Sequence, residues 1–242
     1  PVIERRAPGD HDVLMKVMFC GVCHSDLHQI RGEWDQTVYY PMVPGHEIVG
    51  VVDQVGSKVS KWKVGDRIGV GCFVDSCRKC EACVQGEEQY CRGEKGSQDS
   101  CHMSYNCCLK DEKNIHIRNS EQGELLFGGY STLLTVDENY AIRIPDNIPL
   151  EQAAPLLCAG ITTYSPLMFY GRVLKATMNK TKLHVGVAGL GGLGHMALQL
   201  GKKMGHDVTV LSRSERKRKT AMEMGADNFV DMSNSELVKS LE

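Results

Sequence analysis

The sequence predicts a fold with two parts, a β-barrel-like part over residues 1–150 followed by an α/β part over residues 151–242. Three observations predict it. Short β-prone runs separated by Gly and Pro turns fill the first part, as in small barrels. Four closely spaced cysteines interrupt that part near residue 80. Beyond residue 150, apolar strands alternate with helical segments, which is typical of a parallel α/β sheet.

Composition argues against several classes of partner. The 242 residues carry 42% hydrophobic side chains and a formal net charge of −2. Without a broad basic surface, we expect no nucleic-acid partner. No apolar run approaches the ~20 residues that span a bilayer, so we expect no membrane partner. The eleven cysteines are odd in number and lie in a long chain. This usage favours a reducing compartment, the cytoplasm, over a disulfide framework.

The first candidate site follows the first strand. The run Val13–Cys20 predicts a buried strand, and it leads into a cluster of thiol, imidazole, hydroxyl and carboxylate groups over residues 21–28. Taken alone, that cluster fits a solvated helix start, capped by Ser25 or Asp26, equally well.

A second candidate site lies in the turn before the next predicted strand, Ile48–Val55. There His46 offers a neutral imidazole ligand and Glu47 an adjacent carboxylate. A surface histidine beside a surface glutamate is the plain alternative. Residues 63–71 then predict a Gly-Asp turn and a further short strand, which supports a barrel-like first part.

The four closely spaced cysteines have the pattern C-x2-C-x2-C-x7-C. Short reverse turns at this spacing can bring four thiolates onto one tetrahedral Zn²⁺, and a site filled by four protein ligands holds a loop rather than a substrate. Two disulfides, a chance cluster and a zinc ribbon on nucleic acid are the alternatives. The predicted structural zinc lobe spans about residues 77–91, and its ligands are Cys77, Cys80, Cys83 and Cys91.

An exposed polar loop is predicted after the lobe, over residues 94–122, which lack helical and strand periodicity. At the start of the second part, residues 151–159 predict a helix that ends at Gly160. A second helical stretch, residues 162–172, continues past Pro166.

A glycine-rich turn G-x-G-x-x-G follows an apolar strand at 183–188 and opens a helix at 195–204. Within a β-α-β-α-β order, this pattern indicates the turn that holds the pyrophosphate of a dinucleotide at a helix N-terminus. A turn of an α/β fold that binds no phosphate is the alternative. The candidate cofactor-binding residues of the turn are Gly189, Leu190, Gly191, Gly192, Leu193 and Gly194.

The residues at the end of the second strand of the α/β part predict which dinucleotide binds. An NAD site would place Asp or Glu there to bond the ribose hydroxyls. This chain instead has Ser212, Arg213 and Ser214, followed by Arg216 and Lys217. Small hydroxyls leave room for a 2′-phosphate and the cations would neutralise it, so we expect NADP in preference to NAD. A nucleic-acid patch and a solvated helix face are the alternatives.

Together these motifs resemble the zinc-containing medium-chain dehydrogenase/reductase superfamily. The pattern G-H-E-x-x-G-x5-G, from Gly45 to Gly56, is similar to its zinc signature, and the cysteine lobe and the glycine-rich turn follow in its order. Residues 21–28, 40–47 and 189–195 are similar to the branch of cinnamyl alcohol dehydrogenases. The resemblance implies a GroES-like β-barrel catalytic domain followed by a Rossmann NADP-binding domain.

The resemblance also implies a second, catalytic zinc. Cys23, His46 and Cys158 would bind that ion and leave a fourth position open to water or substrate. Glu47 would serve as a fourth ligand or assist ligand exchange. Asp26 would orient His46 through the other ring nitrogen.

The implied reaction is hydride transfer between NADP(H) and a primary, cinnamyl-type or allylic, alcohol or aldehyde. Ser25 and His28 would relay the alcohol proton towards solvent, and Thr162 would contact the cofactor. Relatives in the superfamily form homodimers, so the resemblance implies a dimer for the full-length protein. A zinc-free quinone reductase on the same fold would have no use for the cysteine lobe.

Compared with the family, the chain lacks part of the first strand and about a third of its length at the C-terminal end, so we expect a fragment. Such a fragment would keep both zinc sites but bind the cofactor weakly and turn over little, and the dimer surface would lie in the missing part. A truncated or inactive paralogue is the alternative to an active enzyme.

Overall fold

The computed structural model describes residues 2–3, 5–34, 38–93, 102–109 and 124–233, and the chain divides into two compact units after Cys158. The change in sequence pattern near residue 150 predicts a domain boundary there. Residues 150–158 go with the first unit in the structure, because Ala153, Ala154 and Leu157 pack on Val49 and Ile144.

An antiparallel sheet of five strands organises the first unit, and in it the strand Asp12–Cys20 lies between Ile48–Val55 and Leu133–Asp137. Its core contains Val13, Met15 and Ile48, all fully buried. The predicted strands at the start of the chain are confirmed. The strands of this sheet are β1 (Asp12–Cys20), β2 (Ile48–Val55), β3 (Arg67–Val70), β8 (Leu133–Asp137) and β9 (Ile142–Arg143).

The register between β1 and β2 brings the two candidate sites together. Cys20, the last residue of β1, pairs with Ile48, the first residue of β2. The chain that leaves β1 therefore runs beside the chain that enters β2, and the Gly21 N–H donates to the Glu47 carbonyl at 2.9 Å.

Short elements complete the first unit. Two ribbons pair β4 (Phe73–Asp75) with β5 (His102–Met103) and β6 (Cys108–Leu109) with β7 (Glu124–Leu125). Strands β5 and β6 and the buried side chains of Ser104 and Tyr105 lie within the stretch expected to be an exposed loop, so that expectation was wrong for residues 102–109. The rest of that stretch lies outside the described residues.

The helices of the first unit are α1 (His24–Arg31), α2 (Glu81–Val84) and α3 (Leu150–Ala153). The helix predicted over residues 151–159 begins as expected in α3, but its extent to Gly160 was wrong. A 3₁₀ turn, Ala154–Leu157, follows α3, and Cys158 leaves helical geometry at φ −121° and ψ −74°. Pro155 at the start of that turn has no N–H to continue an α-helical ladder.

The second unit is a parallel sheet of three strands with helices, as the alternating pattern predicts. Helix α5 begins at Gly192, inside the glycine-rich turn, three residues earlier than the sequence predicts. Helix α4 also begins before Gly160 and runs through Pro166. The elements are α4 (Ala159–Met178), β10 (His184–Ala188), α5 (Gly192–Lys203), β11 (Asp207–Ser212), α6 (Arg218–Glu223) and β12 (Asn228–Asp231).

Among the described residues, every helix is too short or too polar to cross a bilayer.

Candidate active site

Four side chains from three separate segments converge at the end of β1. The ligand atoms of Cys23, His46, Glu47 and Cys158 all lie within 4.8 Å of one another. The sulfur atoms of Cys23 and Cys158 are 3.9 Å apart. Thiolate and imidazole donors at this spacing fit a Zn²⁺ ion. The structure thus brings together the residues that the sequence predicts as ligands of a second zinc.

Packing under the sheet brings Cys158 into the cluster. A Cβ on Gly69 of β3 would lie 2.8 Å from the Leu157 side chain, and one on Gly71 would lie 3.1 Å from the Leu157 carbonyl oxygen. Gly69 in β3 and Gly71 just after it therefore let the 3₁₀ turn pack close to the sheet. The next residue, Cys158, then faces Cys23 across the site.

Asp26 holds the imidazole of His46 from the side opposite the thiols. The Nδ1 of His46 lies 3.1 Å from Oδ1 of Asp26, and both residues are buried. Burial favours the neutral carboxyl, but hydrogen bonds from His46, Tyr105 and the Cys23 N–H outweigh it and lower the pKa of Asp26 to about 2. Burial also opposes an imidazolium, yet the bonds to Asp26 and Cys158 raise the pKa of His46 to about 11. A carboxylate at one ring nitrogen fixes which nitrogen is left for a metal.

Glu47 is buried next to the ligands. Burial raises the pKa of its carboxyl above the usual value, which the charge of His46 partly offsets. A Cβ on Gly21 would lie 1.9 Å from Oε2 of Glu47, so only glycine leaves space for this carboxylate. Its oxygen is within reach of the other ligand atoms, as expected of a fourth ligand.

The residues predicted to relay a proton lie on α1. Ser25 and His28 are one turn apart on the helix, where side chains at i and i+3 are neighbours. The Nδ1 of His28 hydrogen-bonds Oε2 of Glu33, and its ring stacks on Trp34 with centroids 5.6 Å apart. The imidazole is thus held by a carboxylate at the surface.

The four cysteines of the lobe also converge. Their sulfur atoms all lie within 4.8 Å of one another, and the thiols are free. The Cys80 N–H donates to the Cys77 sulfur at 3.3 Å, and the Cys77 N–H donates to the Cys91 sulfur at 3.4 Å. Hydrogen bonds from the N–H groups of Cys83 and Arg92 lower the pKa of the Cys80 thiol to about 6. This arrangement fits a closed tetrahedral zinc site, and it does not fit two disulfides.

The glycine-rich turn has the backbone geometry of a phosphate-binding turn. Gly189 has φ +87°, a left-handed conformation that favours glycine. A Cβ on Gly194 would lie 2.1 Å from the Gly189 carbonyl oxygen, so the helix packs directly on the turn. The first N–H groups of α5 follow Gly191, which suits an anion. Thr162 lines a groove of about 590 Å³ together with Leu193 and Gly194 of the turn.

The end of β11 lies beside that turn. Ser212 is buried, and its hydroxyl accepts a hydrogen bond from the Ser214 N–H at 3.2 Å. Lys217 reaches back to donate to the Leu190 carbonyl at 2.9 Å, and Arg213 is exposed. The residues predicted to bind a 2′-phosphate therefore lie near the glycine-rich turn.

The comparisons with known proteins agree with this geometry. Residues 9–146 match the family model of the alcohol dehydrogenase GroES-like domain, and residues 192–242 match that of the zinc-binding dehydrogenases. The chain belongs to the zinc-containing medium-chain dehydrogenase/reductase superfamily. The predicted GroES-like and Rossmann architecture is confirmed.

Two curated relatives of this superfamily are about half identical to the chain. It is 49% identical to 8-hydroxygeraniol dehydrogenase of Catharanthus roseus over 98% of its own length. It is 50% identical to NADP-dependent alcohol dehydrogenase C 1 of Mycolicibacterium smegmatis over 99% of its length. The chain spans 59% and 62% of these relatives' own lengths.

Two solved structures of the superfamily share the fold. A cinnamyl alcohol dehydrogenase from Sorghum bicolor superposes with a TM-score of 0.83 at 44% identity, over 98% of this chain and 61% of that one. The CAD of Helicobacter pylori complexed with NADP(H) gives a TM-score of 0.78 at 44% identity, over 94% of this chain and 58% of that one.

Several residues around the cluster of Cys23, His46 and Cys158 escaped prediction. The neighbouring Cys72 thiol raises the pKa of the Cys158 thiol, and Glu33 holds His28. Tyr105 and Tyr130 both bond Asp26. Glu33 lies only five residues after His28, just past the end of α1, and this short separation is a local signal that could have revealed it. The tyrosines come from distant segments and had no such local signal.

Proposed function

We propose that the whole protein is an NADP-dependent zinc alcohol dehydrogenase, which transfers hydride between NADP(H) and a primary alcohol or aldehyde of the cinnamyl or allylic type. The observation that carries this proposal is the convergence of Cys23, His46 and Cys158 beside a buried carboxylate. Three ligands with one remaining position are the hallmark of a catalytic rather than a structural zinc.

The donor set fits zinc in its chemistry as well as its spacing. Two thiols and one imidazole provide the sulfur and nitrogen donors that zinc prefers. The neighbouring Glu47 offers a carboxylate as a further ligand. When bound, zinc supplies a Lewis acid for the substrate oxygen, and the nicotinamide carries the hydride. Asp26 keeps the proton on Nδ1 of His46, so Nε2 is the ligand atom.

A proton path leads from the site along α1. We infer that the Ser25 hydroxyl exchanges the substrate proton with His28, one helical turn away. Glu33 accepts a hydrogen bond from His28 at the surface and so steadies the imidazole as it takes and releases a proton to solvent. Trp34, stacked on the ring, restricts its orientation.

Preference for NADP rests on the side chains at the end of β11. Ser212 and Ser214 leave space where an NAD site carries an acid, and Arg213 and Lys217 supply positive charge. The glycine-rich turn would hold the pyrophosphate, with Thr162 beside it. Relatives at about half identity include an NADP-dependent alcohol dehydrogenase, which supports the same preference.

The four-cysteine lobe would hold a second, structural zinc. With four protein donors it offers no position for substrate, so its contribution is to the fold of the lobe. Thiol ligands require reduction, which supports the cytoplasm as the location of the whole protein. A homodimer of the whole protein is part of the same proposal.

Zinc analysis and an aldehyde assay test the proposed function. We expect two zinc ions per chain and, for the whole protein, faster reduction of cinnamaldehyde with NADPH than with NADH. A saturated aldehyde of similar size measures how much the conjugated chain matters. A zinc count near one per chain would contradict the assignment of two zinc sites. Equal rates with NADPH and NADH would contradict the preference for NADP. If this chain alone turned over at the rate of the whole protein, the expectation of a weakly active fragment would be wrong.

A further inference from the structure

Two tyrosines from distant segments meet on the carboxylate that holds His46. The Tyr105 hydroxyl donates to Oδ1 of Asp26 at 2.7 Å, and the Tyr130 hydroxyl donates to Oδ2 at 2.8 Å. Three further donors to this carboxylate are Nδ1 of His46 and the N–H groups of Cys23 and Gly45. An ionised carboxylate offers about four lone-pair directions, so these donors occupy it fully.

We propose that Tyr105 and Tyr130 are positioning residues of the catalytic zinc site, which act through Asp26 on the orientation of His46. The inference rests on the proposed function, because it assumes that His46 is a zinc ligand. Neither tyrosine needs to contact the metal or the substrate. Together with the backbone donors, their hydroxyls fix the orientation of the Asp26 carboxylate. The hydrogen bond from that carboxylate then fixes the orientation of the His46 imidazole.

The backbone around Tyr130 is fixed to the turn that carries His46. The N–H groups of Gly128, Gly129 and Tyr130 donate to the carbonyls of Val43, Gly45 and Pro44 at 2.6, 2.9 and 3.0 Å. A Cβ on Gly45 would lie 2.9 Å from the backbone nitrogens of both Gly129 and Tyr130. The two segments therefore pack backbone against backbone, and the distance from Tyr130 to Asp26 is set by the main chain.

Tyr105 approaches the same pair from another direction. It is 6% exposed, and its ring stacks on that of His46 with centroids 6.0 Å apart and planes inclined by 27°. Its neighbours fix it: the Ser104 N–H donates to the Cys72 carbonyl, and the Tyr39 N–H donates to the Asn106 side chain, both at 2.8 Å. Tyr105 thus limits the tilt of the imidazole as well as the rotation of the carboxylate.

This arrangement has a specific consequence for metal binding. A zinc ligand that is held in its bound orientation loses little freedom when the ion arrives, and partners behind a ligating histidine typically change metal affinity by about 10- to 100-fold. Without one hydroxyl, Asp26 can rotate, and the Nε2 of His46 is less well aimed. We expect the effect of one hydroxyl to fall at the lower end of that range, about 10-fold.

The experiment compares Tyr105→Phe and Tyr130→Phe with Tyr40→Phe in the full chain. Tyr40 is a matched control, because its hydroxyl donates to the Ile30 carbonyl at 2.6 Å instead of to Asp26. Zinc affinity is measured by competition with a chromophoric chelator, and the ligand geometry by the visible absorption of the cobalt-substituted protein. The four-cysteine zinc in the same molecule is an internal control for folding.

For both tyrosine variants we expect about 10-fold weaker zinc binding at the histidine site and shifted cobalt bands, with the four-cysteine zinc and Tyr40→Phe like the parent. Unchanged affinity and unchanged bands would overturn the inference while leaving the proposed function intact. Equal weakening at both zinc sites would also overturn it, since that pattern reports general destabilisation. A parent that binds one zinc only would overturn the proposed function and this inference together. Tyr130 is partly exposed, so its variant keeps the test decisive even if Tyr105→Phe fails to fold.

Discussion

The Nδ1 of His46 lies 3.1 Å from Oδ1 of Asp26, with both side chains almost wholly removed from water. An ionised carboxylate only accepts hydrogen bonds, so the proton stays on Nδ1 and Nε2 is the nitrogen that a metal would bind. We expect Asp26→Asn to weaken zinc binding at this site by about 10- to 100-fold. Dialysis against graded chelator should then remove one zinc per chain early and the other late.

The control for this change is Asp53→Asn, because Asp53 forms an exposed ion pair with Lys16 at 2.7 Å. Exposed pairs contribute little to stability, so this variant should retain zinc like the parent. Loss of both zinc ions together from Asp26→Asn would show a general loss of folding and contradict the specific role of the carboxylate.

The two zinc sites should respond differently to the loss of a cysteine. The Cys80 sulfur is 3.5 Å from that of Cys83 within a closed set of four, so Cys80→Ser should release the structural zinc and destabilise the lobe. Cys23→Ser should abolish activity of the whole protein without unfolding it. Thermal melts and zinc counts on both variants check this. Equal losses of stability would refute the division of labour between the sites.

Two glycines of the glycine-rich turn should differ in their effects on stability and on cofactor binding. A Cβ on Gly194 would lie 2.1 Å from the Gly189 carbonyl oxygen, whereas a Cβ on Gly191 would meet open space. Gly194→Ala should therefore cost about 1–3 kcal/mol of stability through overpacking. Gly191→Ala should melt like the parent but bind NADPH more weakly, since its methyl group would occupy the approach to the pyrophosphate. Denaturant melts and fluorescence titration with NADPH measure the two effects, and a stable Gly194→Ala variant would contradict the packing argument.

Sequence patterns predicted the parts of this protein that depend on neighbours along the chain. Strands β1, β2 and β10 follow from their apolar runs, and the conformation of Gly189 follows from its place in a strand–turn–helix motif. The metal ligands could be predicted for another reason. Ligand residue types are few, and their spacing matches a superfamily with ordered motifs.

The parts that escaped prediction depend on long-range packing. Tyr105 and Tyr130 bond Asp26 across 79 and 104 residues of chain, and no periodicity encodes such a contact. The polarity of the stretch around Tyr105 suggested a solvated loop, but hydrogen bonds of the Asn106 side chain and of the Ser104 N–H help to hold it in a buried position. The helix break at Cys158 was missed because the alanines and leucines of the segment favour a helix, whereas Pro155 and the packing of Leu157 override that preference.

Lys217 should contribute to NADP binding in a way that Lys219 does not. Lys217 contacts the Leu190 carbonyl beside the pyrophosphate turn, while Lys219 lies 3.9 Å from Glu223 on an exposed helix face. We expect Lys217→Ala to weaken binding of adenosine 2′,5′-bisphosphate about 10-fold, or ~1.4 kcal/mol, with little change for 5′-AMP. Calorimetric titration of both nucleotides checks this, with Lys219→Ala as the matched control. Similar losses for both nucleotides would place Lys217 away from the 2′-phosphate.

Acid stability of the first unit should depend on Glu138. Its side chain is buried, and Oε2 accepts hydrogen bonds from the N–H groups of Ser60 and Lys61 at 2.9 and 3.0 Å. Burial raises the pKa of this carboxyl, but the two backbone donors and His11 outweigh burial and hold the pKa below its usual value. A depressed pKa in the folded state means that the carboxylate stabilises the fold above the unfolded pKa of about 4.3 and that this stabilisation disappears as pH falls through the folded pKa.

Glu138→Gln should therefore lower the free energy of unfolding near pH 7 by about 1–2 kcal/mol, because two charge-assisted hydrogen bonds become neutral ones. The difference from the parent should begin to shrink below about pH 4.3, where the unfolded carboxyl takes up its proton, and should disappear only as pH falls through the lower folded pKa. Acid also protonates the zinc ligands, but this loss is common to both proteins and cancels in the difference. Glu223→Gln, on the exposed face of α6, is the control and should match the parent at every pH. Urea titrations from neutral to acidic pH measure the difference, and a gap that stays constant at low pH would show that Glu138 acts through its shape rather than its charge.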